Sequence, residues 1–228
     1  MKLNILLSKL EGYISSGFLF YLILIFATIL LGFRYFRIIT LPYKLLVLLI
    51  SITFLSEVLS SLFEGYLGTN YPFYHFLQLI EFAFYGTIFH QLLKAWPRTC
   101  RFITAIAIIF GLITIGVSLF YQGLYSFPSV GSTLLSLFVV AATLVLLIRM
   151  VQSPVNIPIH RQPVFWFGIG SLFFHALTFF VFGYFKFLTS QSVVPEWGYT
   201  IIRFSNFILY GCYFICIFYA ARIAKPQE

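Results

Sequence analysis

The sequence predicts an all-α, polytopic membrane protein of seven transmembrane helices, its amino terminus outside and its carboxyl terminus cytoplasmic. Three observations predict it. Of 228 residues, 61% are hydrophobic, 21% aromatic and only 9% charged, which is too apolar for a soluble globular domain. Seven apolar stretches, each long enough to cross a bilayer, alternate with polar or basic punctuation. The Lys and Arg residues of the loops gather on one side. At about 20 apolar residues per crossing, the chain has room for about seven or eight crossings and none for a soluble catalytic domain.

Residues 1–16 come first. Leu3, Leu6, Leu7, Leu10 and Ile14 share one helical stripe, away from Asn4, Ser8 and Glu11, as expected of an amphipathic segment lying on the outer surface. The first crossing, 17–34, belongs to a charge-free run from Gly12 to Phe33 that is followed at once by Arg34 and Arg37. Without a small-x-small cleavage signal it reads as a retained crossing, not a signal peptide. Crossings two and three, 43–63 and 72–93, begin beside Pro42 and Pro72, where a missing N–H costs nothing. The charge-free run from Phe102 to Ile148 must be two crossings, because one helix of that length would measure about 70 Å. These are 102–121 and 131–150, with the turn supplied by Tyr121 to Gly131, which holds Gly123, Pro128 and Gly131. Crossing six, 163–185, opens on Pro163, and crossing seven is 198–221. Residues 17–222 thus form a single domain, and 223–228 a short cytoplasmic tail. No crossing has a central proline, unlike the broken helices common in secondary transporters.

Orientation follows from the basic residues. Arg34, Arg37, Lys44, Lys94, Arg98, Arg101, Arg149, Arg161, Arg222 and Lys225 share one side, against Lys2, Lys9 and Lys186 on the other. The cytoplasmic side is therefore the basic one, and the expected location is the inner (plasma) membrane. Fourteen Lys and Arg against six Glu give a net charge of +8, which this topology explains without nucleic-acid binding. Three cysteines, Cys100, Cys212 and Cys216, form no CxxC pair and indicate neither a zinc site nor a disulfide framework.

Charged groups inside a bilayer cost several kcal/mol unless they face protein or water, so their positions carry the functional signal. Crossing three places Tyr71, Tyr74, His75, Gln78, Glu81, Phe82 and Tyr85 on one third of its circumference, and crossing seven does so with Tyr199, Arg203, Asn206, Tyr210 and Tyr213. Thr53, Glu57, Ser60, Ser61 and Glu64 share an arc of crossing two, and Gly168, Ser171, His175, Thr178 and Lys186 one of crossing six. Crossings one, four and five have no charged group at their centres. At 1.5 Å per residue, Glu57, Gln78, Glu81, His175, Arg203 and Asn206 lie roughly 8 to 14 Å below the outer boundary. They form one layer, in which Arg203 is expected to pair with Glu57 or Glu81. Packing glue between helices is the plainer account of such a layer. His90, near the cytoplasmic end of crossing three, falls off its polar face and His160 falls in a loop; both are expected to be solvated.

Several specific chemistries lack the residues they require. A retinal pigment needs a lysine in the last crossing, which has only Arg203. Gly168-Ile-Gly170-Ser171 is not followed by the glycine of a rhomboid-type protease. HExxH is absent, and His75, His175, Glu57 and Glu81 have no metal-ligand spacing. No metal and no cofactor is expected, and a binding protein is favoured over an enzyme.

The Tyr74-His75 to Glu81-Phe82 stretch, the Pro163-Val-Phe165-Trp166 start of crossing six and the Asn206 to Tyr210 stretch together resemble uncharacterised seven-helix bacterial membrane proteins of the sensor-input type. The resemblance implies a sensory or receptor-like role. Nothing after Arg222 reads as an output domain, so signalling is expected to need a separate partner at the cytoplasmic loops. The expected function is a receptor-like module that binds a small molecule in an outward-facing polar pocket between helices two, three, six and seven. Glu57, His75, Gln78, Glu81, His175, Arg203, Asn206 and Tyr210 are the candidate ligand-binding or ion-pair residues. Besides the small molecule and the partner, membrane lipids are the expected contacts. A proton-coupled carrier, an intramembrane lipid-modifying enzyme and a scaffold subunit are the alternatives.

Overall fold

A computed structural model describes residues 16–67, 69–153, 156–189 and 196–224. The expected amphipathic segment before the first crossing and the end of the tail lie outside the described residues. Among those described, the chain is all helical: α1 (Ser16–Arg34), α2 (Leu41–Leu67), α3 (Tyr71–Leu92), α4 (Pro97–Val117), α5 (Ser129–Gln152), α6 (Pro163–Thr189) and α7 (Glu196–Ala224). A π-type turn, Ser118–Gln122, extends α4, and a single 3-10 turn, Ile159–Arg161, precedes α6. The expected helices are all present. Several boundaries move by a few residues, and the largest shift is at α4, which starts at Pro97 and not at 102, because proline at the first helical position loses no hydrogen bond.

Five of the helices hold segments long and apolar enough to cross a bilayer: Leu41–Ser60, Pro97–Gln122, Ser129–Gln152, Pro163–Gly183 and Thr200–Ala224. That is the signature of a multi-pass membrane protein. Leu19–Arg34 is a shorter apolar helix. Helix α3 has the length, but its Tyr, His, Gln and Glu side chains leave it outside the apolar set. It is sheltered instead, packing on α2, α4 and α5 and burying His75, Gln78, Phe82, Tyr85, Ile88 and Phe89. The least buried of the five apolar spans, that of α4, is the reverse and presents Phe102, Ile108, Ile109 and Leu112 outward. In a bilayer those side chains meet lipid, so the covered face belongs to the polar helix and the bare face to the apolar one.

Consecutive helices pack side by side and α7 returns to α1, which closes a ring. The interfaces of α6 with α5 and α7 are the most extensive. Small residues permit this: a Cβ on Gly170 would stand 2.7 Å from Cys212 Cβ, and one on Gly168 2.8 Å from Leu147 Cδ2. Close approach of backbones is the main route to tight packing where lipid supplies no hydrophobic drive. Thr28, Thr53, Thr114, Thr133 and Thr178 return their hydroxyls to backbone carbonyls one turn earlier, so these polar groups are satisfied within their own helices.

The two ends of the ring differ. The α1–α2, α3–α4 and α5–α6 connections share one end with the carboxyl terminus of α7 and carry the basic residues; the α2–α3 and α4–α5 connections lie at the other, acid-containing but basic-poor end. Around the basic end, Arg34 stands over Tyr35, Lys44 over Phe36 and Arg222 over Phe218, at 5.4–5.8 Å from the ring centroids.

Candidate functional site

A cavity of about 660 Å³ occupies the basic-poor end of the ring. Seven of the eight candidate residues line it: Glu57 from α2, Gln78 and Glu81 from α3, His175 from α6, and Arg203, Asn206 and Tyr210 from α7. The i, i+3, i+4 spacing of each helix aims these groups inward together. The walls are wider than the four expected helices. Helix α1 contributes Tyr21, and α5 contributes Ser132, Leu135 and Ser136. Neither helix bears an interior charge, so a search for charged centres passes over both. Tyr21 Oη donates to Glu57 Oε1 at 3.4 Å, and its ring meets Tyr210 edge-on at 5.6 Å.

His75 is the exception. It is buried, but it does not line the cavity. Its Nε2 donates to the Ser126 carbonyl at 3.0 Å and its Nδ1 lies 2.7 Å from Ser118 Oγ. A carbonyl only accepts, so the hydrogen is on Nε2 and, in the neutral ring, the Ser118 hydroxyl donates to Nδ1. Three residues along a helix is a 60° difference in bearing. That turns His75 away from the cavity that Gln78 faces, toward the π-type turn. His75 thus ties α3 to the π-type turn and the α4–α5 connection.

Gln78 does both. It lines the cavity, while its Nε2 donates to the Pro128 carbonyl at 3.2 Å and to Ser132 Oγ. Gly131 makes room for it: a Cβ there would collide with Gln78 Oε1. The sequence counted Gly131 as the end of a turn, but it is inside α5 and serves close approach. The turn glycine is Gly123, at φ +75°, where side chains are disfavoured. Phe127, held in the same connection, reaches the cavity and meets the ring of Tyr71 edge-on at 6.0 Å.

Toward the basic end the cavity stops at a hydrogen-bonded floor. His175 Nδ1 lies 3.4 Å from Ser136 Oγ and its Nε2 3.4 Å from Tyr85 Oη. Tyr85 Oη is 2.9 Å from Tyr213 Oη, which is 2.8 Å from Ser171 Oγ. This links α5, α6, α3 and α7 in one layer. One turn further on, Phe89, Phe138 and Phe167 are almost fully buried and pack edge-on around Phe89, at 5.9 and 5.6 Å.

Arg203 corrects a second expectation. Its side chain is exposed at the cavity wall, and among the described residues it makes no ion pair with Glu57, Glu81 or any other carboxylate. His90 corrects a third: it is half-buried between helices, 3.1 Å from Thr104 Oγ1 and 3.3 Å from Cys100 Sγ. His160 is exposed. The side chains of Ser61, Glu64, Lys186 and Tyr199 are outside the description. Among the described residues, no group of three or more His, Cys, Asp or Glu is placed to hold a metal ion.

Comparison with protein-family models, with curated proteins and with solved structures finds no match to this chain.

Proposed function

We propose that the protein is a receptor-like module of the inner (plasma) membrane that binds a small molecule in this cavity. Its amino terminus is outside, its basic end faces the cytoplasm and the cavity opens outward. The observation that supports this reading is the convergence of Glu57, Gln78, Glu81, His175, Arg203, Asn206 and Tyr210 on one hollow, whose volume lies within the range of small-molecule sites. Polar groups serving only as packing glue would be buried against one another, not arrayed around empty space. The closed floor favours binding over conduction, since a carrier would have to part the Tyr85, Tyr213 and His175 contacts and the phenylalanines behind them. Movement of that floor is the route by which occupancy reaches a partner at the basic loops.

Native mass spectrometry of protein extracted in mild detergent tests the reading. A stoichiometric small molecule is expected, lost when Asn206→Trp fills the cavity; protein that is empty and binds nothing from a membrane extract overturns it. A fluorescent protein fused to the carboxyl terminus is expected to glow in cells, as it folds in the cytoplasm; a dark fusion reverses the orientation.

A further inference from the structure

We infer that the groove between α3 and α4 seats one anionic phospholipid, an acyl chain lying along the groove and the phosphate held by Lys94 and Arg101 at the basic end. The groove shares no lining residue with the cavity. It has a volume of about 460 Å³, and its walls run from His90 to Leu79 on α3 and from Thr104 to Ile115 on α4. Its base is a close approach of small residues, where a Cβ on Gly86 would stand 3.1 Å from Ala107 Cβ. Ala83 and Thr87 on one rim, and Ile108 and Leu112 on the other, are exposed, so the groove opens toward lipid.

Length points to an acyl chain. Each wall spans eleven residues, about 16 Å at 1.5 Å per residue, which matches one leaflet of a hydrocarbon core about 30 Å thick. A crossing helix would be seated over the whole thickness, whereas an acyl chain ends within its own leaflet. Charge selects the headgroup. Arg101 continues the groove face of α4 one turn before Thr104, and Lys94 follows His90 four residues on. Both are exposed and, among the described residues, neither is ion-paired. Arg101 Nε donates to the Pro97 carbonyl at 3.4 Å, which leaves both terminal nitrogens for a phosphate.

A second copy of the chain fits this face badly. Two-fold pairing about the membrane normal would set Lys94 and Arg101 of each copy at the same level, like charge beside like. It would also strand a polar atom. The Thr104 hydroxyl donates to the Cys100 carbonyl at 2.9 Å, so its oxygen accepts from His90 Nδ1, 3.1 Å away. In the neutral ring the hydrogen is then on Nδ1, and Nε2 is an acceptor with no donor among the described residues. An apolar helix laid over it would leave it unmatched, whereas a glycerol headgroup brings hydroxyls to it.

The test is native mass spectrometry of the full chain in mild detergent, with palmitoyl-oleoyl phosphatidylglycerol and the matching phosphatidylcholine added in equal amounts. One phosphatidylglycerol per chain should be retained, about tenfold or more over phosphatidylcholine for two basic contacts. Arg101→Gln with Lys94→Gln should remove that preference. Gly111→Leu, which grows a side chain into the groove, should release the lipid with the charges intact; if it does not fold, Ala83→Phe on the exposed rim is read in its place. Asn206→Trp, in the separate cavity, should leave the lipid bound, and glycerol 3-phosphate should not displace it. Equal retention of the two lipids, or of neither, overturns the assignment. So does phosphatidylglycerol that survives the filled groove or yields to glycerol 3-phosphate, because the headgroup alone would then be bound, and so does its loss in Asn206→Trp, which would put the lipid in the cavity. A dimer mass that disappears in Gly111→Leu gives the groove to a second copy and also overturns it.

Discussion

The two ends of the helix ring are built from the same kinds of residue and put them to opposite uses. Toward the basic end, aromatic rings fill the centre: Phe89 is fully buried between Phe138 and Phe167, and Phe167 stacks on Tyr213 at 5.8 Å. Toward the other end, rings of the same helices line a hollow with Glu57, Glu81 and Arg203. What separates the two is the layer of Tyr85, His175, Tyr213 and Ser171, whose hydroxyl and imidazole groups bond to one another. The difference teaches where tightness comes from in this protein. Apolarity alone does not drive helices together in lipid, so the filled end depends on close contact and the hollow end on polar stitching.

Removing a ring from the filled end is the strongest way to break this comparison. Phe89→Ala should cost about 3 to 5 kcal/mol, measured by unfolding in detergent, whereas Phe174→Ala, at the half-buried cavity wall, should cost less than half as much. Equal losses would mean the ends do not differ in packing. Gly131→Ala comes next, at about 1 to 3 kcal/mol, because the new methyl collides with Gln78 and Thr114. The same change at Gly116, where a Cβ meets nothing within 4 Å, should be neutral or slightly stabilising. Tyr213→Phe acts on the dividing layer. It leaves the stack on Phe167 but removes the hydroxyl shared by Tyr85 and Ser171, and should cost about 1 kcal/mol.

The sequence carried this division unevenly. Helix number and approximate span were legible because each crossing must hide its backbone within one apolar segment. The inward faces of α3 and α7 were legible because Gln78, Glu81, Arg203 and Asn206 are intolerable against lipid. Tyr21 was not, since one tyrosine among leucines and isoleucines looks the same whether it packs or lines a hollow. Ser132 and Ser136 are as easily placed in any interface. The contacts of His75 were not legible, because an arc covering a third of a helix is wide enough to face two neighbours. The bearing that decides between them depends on the π-type turn after α4, which no periodicity announces. The pairing of Arg203 failed for a related reason: the sequence gives depth along a helix, but not how far a long side chain is left open.

Asn206 provides the smallest effect on stability and the sharpest separation of the two ends. It lines the cavity from α7 and is half-buried, so Asn206→Leu exchanges an amide beside empty volume for an apolar group of similar size. Little packing is lost, and no filled contact is broken. The ligand-free protein should therefore change by no more than about 0.5 kcal/mol, in the same unfolding measurement that reports a large loss for Phe89→Ala. The stabilisation conferred by a bound molecule should fall sharply, because an amide that selects by hydrogen bonding cannot be replaced by a methyl-bearing chain without leaving a polar partner unmatched. A leucine that costs several kcal/mol in the empty protein would show that Asn206 holds the helices together. A leucine that leaves both states untouched would place the site's recognition on the carboxylates and rings alone.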